Sequence, residues 1–214
     1  MKTITQNLKQ LSVITLLTII AFTSCKKDTQ NEVVDQINKE QILEKKILDI
    51  IPQQYQDTLA KLGITLNRET TPPDMQGAFT FKPLRLLKSN RPTDQANMTF
   101  KDADIKFFEQ DKETGSIKLI SKFLLNDADT SIATAVSGKG NAFTIYGKVK
   151  SVSGSNSAIF GVIISGERNG ALINNLRFGL INIDNTNGGT RFIKQGEARA
   201  IVDADFVSQS IPMF

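Results

Sequence analysis

The sequence predicts a mainly β protein, an antiparallel up-and-down β-barrel of about eight strands preceded by a short helical segment, with a two-sheet β-sandwich as the alternative. Three observations carry this. From Gln76 onward apolar residues alternate with polar ones at period two, the repeat of a strand with one buried face. Glycine- and asparagine-rich turns separate these stretches, and no helical pattern lies between them, so neighbouring strands run antiparallel. Before residue 75 the apolar residues instead recur at helical spacing.

The chain opens with MKTITQNLKQLSVITLLTIIAFTSCKKD. Lys2 and Lys9 give a cationic start, and Leu11 to Phe22 an apolar run too short to span a bilayer, which takes ~20 residues. Phe22-Thr23-Ser24-Cys25 resembles a lipobox, with Thr23 and Ser24 at the small positions and Phe22 where leucine is commoner. That resemblance implies a diacylglycerol on Cys25, removal of residues 1–24 and acylation of the new amine. Several acyl chains anchor stably where a single one does not. Lys26 after the cysteine implies the outer membrane, and Lys26-Lys27-Asp28 resembles the charged export signals of surface lipoproteins. The expected organisation is a signal peptide at 1–24, a lipidated polar tether at 25–32, a helical segment and linker at 33–74, and an antiparallel β domain at 75–214.

In the helical segment Val33, Ile37, Leu43, Ile47, Ile50 and Ile51 form a stripe against Lys39, Glu44, Lys45 and Asp49. Pro52 suits the first turn of a second helix, whose stripe is Ile51, Tyr55, Leu59 and Leu62, with Gly63 placed to end it. Thr70-Thr71-Pro72-Pro73-Asp74 breaks the chain. Phe79 and Phe81 then alternate with Thr80 and Lys82, and Pro83 forces a bulge before Leu84 and Leu86. After the loop 90–94, Ala103, Ile105 and Phe107 alternate with Asp102, Asp104 and Lys106. Ile117, Leu119, Phe123 and Leu125 follow one turn, and Ile132, Thr134 and Val136 precede the turn at Gly138 to Asn141. Phe143, Ile145 and Val149 oppose Thr144, Tyr146 and Lys148. Residues 158–165 are apolar on both faces and predict burial on both; Asn169-Gly170 is a hairpin signal leading into the longest strand, Leu172 to Ile183. The last alternation sets Ala198, Ala200, Val202, Ala204 and Phe206 against Glu197, Arg199, Asp203 and Asp205.

Composition excludes more than it assigns. The chain has no histidine, which removes Ser-His-Asp and Cys-His catalysis and His-ligated metals; one cysteine allows no internal disulfide. Loss of the signal takes Lys2 and Lys9 from the 26 basic residues, leaving 24 against 22 acids and no basic stripe for nucleic acid. No tryptophan and only two tyrosines leave few platforms for sugar rings.

Asp102/Asp104, Asp127/Asp129 and Asp203/Asp205 are close carboxylate pairs, read as solvated surface groups. Asp184 to Gly189 lacks the closing glutamate of a calcium loop, and Gly138-Lys139-Gly140 lacks the ending of a phosphate loop, so both read as turns. No enzyme, metal or cofactor constellation stands out. Asn174 and Asn182 share the predicted face of Leu176, Phe178 and Leu180, and Ser121 and Thr134 also interrupt apolar faces; polar groups among apolar ones line small-molecule pockets. The whole chain resembles uncharacterised bacterial outer-membrane lipoproteins with a short helical segment and a lipocalin-like (calycin-type) β-domain. The expectation is non-enzymatic binding of a small, mostly apolar ligand; the alternative is a docking protein for a partner or glycan of the cell envelope.

Overall fold

The structure is a computed structural model that describes residues 26–125 and 129–214; Cys25, with the whole signal segment, and Asp127 lie outside the described residues. Compact packing divides the chain at residue 38, and all of the packing below lies within 39–214.

Helix α1 runs from Lys26 to Ile50 and α2 from Gln53 to Lys61. Residues 26–32, expected as a tether, are thus helical. Val33 and Ile37, expected to begin the buried stripe, are 53% and 46% exposed; burial starts at Leu43 and continues through Ile47, Ile50 and Ile51. Pro52 occupies the N-cap of α2, one position earlier than expected, and its carbonyl accepts from the Tyr55 and Gln56 amides. Gly63, at φ 101°, ends α2 by a Schellman arrangement: its amide bonds Ala60 O at 2.9 Å, and the Ile64 amide bonds Leu59 O at 3.1 Å. No helix among the described residues is long and apolar enough to cross a membrane.

The strands are β1 (Thr70–Thr71), β2 (Gly77–Phe81), β3 (Leu84–Ser89), β4 (Ala103–Asp111), β5 (Ser116–Lys122), β6 (Asp129–Lys139), β7 (Ala142–Ser153), β8 (Asn156–Asn169), β9 (Leu172–Asn187), β10 (Ala198–Asp203) and β11 (Val207–Ile211). The protein is mainly β, a curled sheet of half-barrel form preceded by a helix. The strand order is β11-β2-β4-β5-β6-β7-β8-β9-β10-β3, and β11 also pairs with β9. Every pairing is antiparallel except that of the short β1 with β6, where Thr70 and Thr71, expected as a break, add a parallel rung.

Two cores lie on opposite faces of this sheet. The concave side gathers Phe79, Phe107, Phe143, Phe160, Phe178 and their neighbours from strands far apart in the order, which requires the sheet to curl. The convex side of β6 to β10 is covered by the helices, with Ile47, Ile51, Leu59 and Ile64 packed on Ala135, Tyr146, Ile163 and Ile181. Double-sided burial explains the unbroken apolar run in β8. Two glycines let the helical segment approach: a Cβ at Gly161 would meet Ile51, between the helices, at 3.3 Å, and one at Gly179 would meet Ile64, just past α2, at 2.8 Å and Leu59 of α2 at 3.1 Å. The segment after α2 is pinned to the same face, with the Asn67 amide bonding Thr144 Oγ1 at 2.9 Å and the Tyr146 hydroxyl donating to Asn67 O at 3.2 Å.

The two outer strand stretches differ from the expected alternation. The first breaks at Lys82-Pro83 into β2 and β3, and the last breaks at residues 204–206 into β10 and β11. Alternation itself holds through β10, which pairs with β9 in unbroken register while the irregularity opposite β3 falls at Leu87 of that strand, and both faces of β10 are covered. Ala198 and Ala200 therefore pack under the helices, while Ile201 joins the concave core and Phe206 stands 59% exposed. Small residues suit that convex position because a helix lies close above it.

Candidate functional site

The concave core is solid at one end of the sheet, where Phe79, Phe81, Phe107 and Phe143 are fully buried. At the other end, where the β3–β4, β5–β6 and β9–β10 connections meet, a cleft of about 350 Å³ opens. Its floor comes from period-two positions of four strands: Leu84, Phe160, Phe178, Leu180 and Ile201. Phe100, Phe123, Phe192 and Ile193 form the apolar part of its rim, and Ser151, Lys101, Arg191 and Arg199 supply polar groups.

Local bonds hold each rim segment in place. The β3–β4 connection is zipped to β3 by Phe100 N to Leu84 O at 3.0 Å and Leu86 N to Met98 O at 2.8 Å. Phe192 meets Phe160 edge to face, with centroids 5.9 Å apart, an arrangement aromatic rings favour. Lys101 Nζ stands 5.0 Å from the Phe123 ring centroid. Arg199 lies over Phe100 at 5.7 Å and is held by Asp94 through Nε–Oδ2 at 2.7 Å and Nη2–Oδ1 at 2.8 Å. Asp94 also accepts from Arg91 Nη1 at 2.9 Å and Ser89 Oγ at 2.8 Å. The Arg199 hydrogen bond, with further help from Ser89 and the two guanidinium charges, holds the Asp94 carboxyl down at about 2 against the opposing effect of burial.

The polar residues singled out in the sequence fall elsewhere. Asn182 is fully buried on the concave face, but its Nδ2 donates to Ile193 O at 2.6 Å and to Asn185 Oδ1 at 2.9 Å. It shapes the cleft by holding the β9–β10 connection. Asn174 does not share the face of Leu176: Asn175, at φ 53°, sits in an irregular stretch of β9, and Ile173 faces inward instead. Ser121 is buried with no partner for its hydroxyl, and Thr134 lines a separate groove where β5 and β6 part. Phe100, Arg191 and Phe192, which do build the cleft, lie in connections where periodicity carries no information.

Asp104 is on the outer face as expected, while Asp203, expected in solvent, is fully buried. It lies on the same face of β10 as Arg199 and Ile201, which is covered on the concave side, and its Oδ2 accepts from Ser208 Oγ at 2.5 Å and from the Lys82 amide at 3.3 Å; its Oδ1 has no partner among the described residues. Burial, reinforced by neighbouring Asp205, raises its pKa from 3.8 to about 6. The folded chain then holds this proton more tightly than the unfolded one. The penalty is absent below about 3.8, grows as the pH rises through about 6, and is complete above it. Asp203→Asn is expected to stabilise the protein by roughly 2 kcal/mol near neutral pH and to do little in mild acid, as read by urea unfolding across the pH range. A pH-independent difference would disprove this account.

Two wider grooves lie elsewhere on the described residues. One of about 590 Å³ is walled by Glu40, Glu44, Arg68 and Glu69, and one of about 600 Å³ runs along β5 and β6 between Lys46, Phe108 and Ile132. Comparison with models of known protein families, with curated proteins and with solved structures gave no match.

Proposed function

We propose that this protein is a lipid-anchored protein of the bacterial outer membrane whose β domain binds a small, mostly apolar molecule without catalysing a reaction. The observation that carries the reading is the cleft of about 350 Å³ lined mainly by Phe, Leu and Ile, the size and chemistry of a small-molecule site. The strand pairing supports the lipocalin-like form expected for it. Counting β2 with β3 and β10 with β11 as single bent strands leaves eight staves, and β11 hydrogen-bonds both β2 and β9, as barrel closure would require.

Native mass spectrometry of the full chain extracted from membranes tests the binding. A retained small molecule is expected, and Leu180→Trp, which fills the cleft floor, is expected to lose it. Retention by Leu180→Trp, or failure of the native chain to bind any apolar probe such as N-phenyl-1-naphthylamine, would end this reading. The anchor is tested separately: the N-terminal peptide should begin at Cys25 and carry the mass of its acyl chains.

One observation favours a docking function instead. Val33, Val34 and Ile37 share one side of α1 by helical spacing and are each about half exposed. If crosslinking in cells joins this stretch to one protein partner while the cleft stays empty, docking is the better account.

A further inference from the structure

Among the described residues the wall of the cleft carries three cations, Lys101, Arg191 and Arg199, and no acid. Arg199 is neutralised by Asp94. Lys101 and Arg191 form no ion pair among the described residues. Arg191 is steadied by Nε donating to Ser153 Oγ at 2.9 Å, which leaves its two terminal nitrogens available to a ligand. Without the signal segment the basic and acidic residues nearly balance, so this excess of positive charge is a local property of the rim.

The aromatic beside Lys101 is equally unusual. Phe123 sits at φ 63°, a conformation that bulky residues seldom adopt, and 44% of its surface is exposed. A half-exposed ring held in a strained backbone next to an unpaired ammonium makes an amphipathic edge to an apolar hole. Against apolar walls, such charges act over lower dielectric than they would on an open surface.

We infer that the ligand is a single-chain anionic amphiphile, its hydrocarbon against Phe160, Phe178, Leu180 and Ile201 and its anionic head between Arg191 and Lys101. This rests on the proposed binding function and adds the chemical class. At roughly 30 Å³ per non-hydrogen atom, the share of a water molecule in its liquid, the cleft holds about a dozen such atoms. That is the size of a ten-carbon carboxylate. Arginine and lysine at the opening supply the charge-assisted hydrogen bonds that separate an anion from a neutral head of equal chain length.

The test compares diazirine-bearing decanoate with the matching decanol, crosslinked to the full chain in its membranes and mapped by mass spectrometry. Labelling of cleft peptides by the carboxylate should be about tenfold stronger than by the alcohol and should be displaced by unlabelled decanoate. Arg191→Gln combined with Lys101→Gln should bring the carboxylate down to the level of the alcohol and leave alcohol labelling unchanged; both positions are exposed, so folding is not at stake. Equal labelling of the native cleft by the two probes would overturn the anionic assignment while leaving an apolar site. Absence of displaceable labelling by either would overturn the binding function beneath it as well.

Discussion

Replacement of Gly138 by alanine is expected to destabilise the protein by roughly 3–5 kcal/mol, the largest effect of any single methyl group in the fold. Gly138 has φ 150°, and a Cβ there would lie 2.1 Å from Ala142 O and 2.9 Å from Phe143 Cα. Both neighbours are backbone of the paired strand β7, so no side chain can swing aside. On its other edge Gly138 pairs with Thr70 of β1, and its amide bonds Glu69 O at 2.7 Å. The alanine must therefore part β6 from β7 or from β1, and either break loosens the segment that carries the helices onto the convex face. Urea unfolding followed by circular dichroism gives the number. Gly140, two residues on, has φ 61°, and a Cβ there would meet nothing within 4 Å, so Gly140→Asn should cost less than about 1 kcal/mol. Similar costs at the two positions would show that contact with β7 is not what makes Gly138 matter.

Much of the fold is legible in the residues because its concave face obeys period two. Ala103, Ile105 and Phe107 are fully buried between half-exposed or exposed neighbours, as alternation requires; Phe143 and Ile145 keep the same period on the concave face, although Thr144 and Tyr146 between them are buried on the other. Gly63 ends its helix for the reason its position suggests. What alternation misses is which faces are covered and where a strand bulges. Both faces of β10 are buried, Ala198 and Ala200 under the helices and Asp203 on the concave side, and an irregular turn of backbone at Asn175 displaces Asn174 from the inner face of β9. Alternation cannot reveal a bulge, because the pattern on either side of one remains valid. The cleft is less legible still: its rim is built by connections, and a loop residue such as Phe192 is placed by the tertiary partner Phe160 rather than by spacing.

Asp94→Asn should cost about 3 kcal/mol at neutral pH, the second large effect, because it breaks a shielded charge cluster from one side only. The Asp94 side chain is 3% exposed and those of Arg199 and Arg91 are 19% and 23% exposed. An asparagine keeps one acceptor and turns a donor toward a guanidinium, which can only donate, leaving its charge poorly compensated next to the cleft. The pH dependence identifies the cause. With its pKa held at about 2 rather than 3.8, Asp94 contributes stability that is fully present above about 3.8 and is lost as the pH falls through about 2. The cost of Asp94→Asn should shrink over that acidic window, opposite in sign to the effect of Asp203, whose penalty grows from about 3.8 through about 6. The two acids thus act in opposite directions, one a carboxylate that must stay charged to hold the cleft wall and the other better protonated. Asp94→Asn should flatten the acidic limb of the urea-midpoint profile and Asp203→Asn the other limb; an acidic limb unchanged by Asp94→Asn would mean that Arg199 draws its compensation from elsewhere.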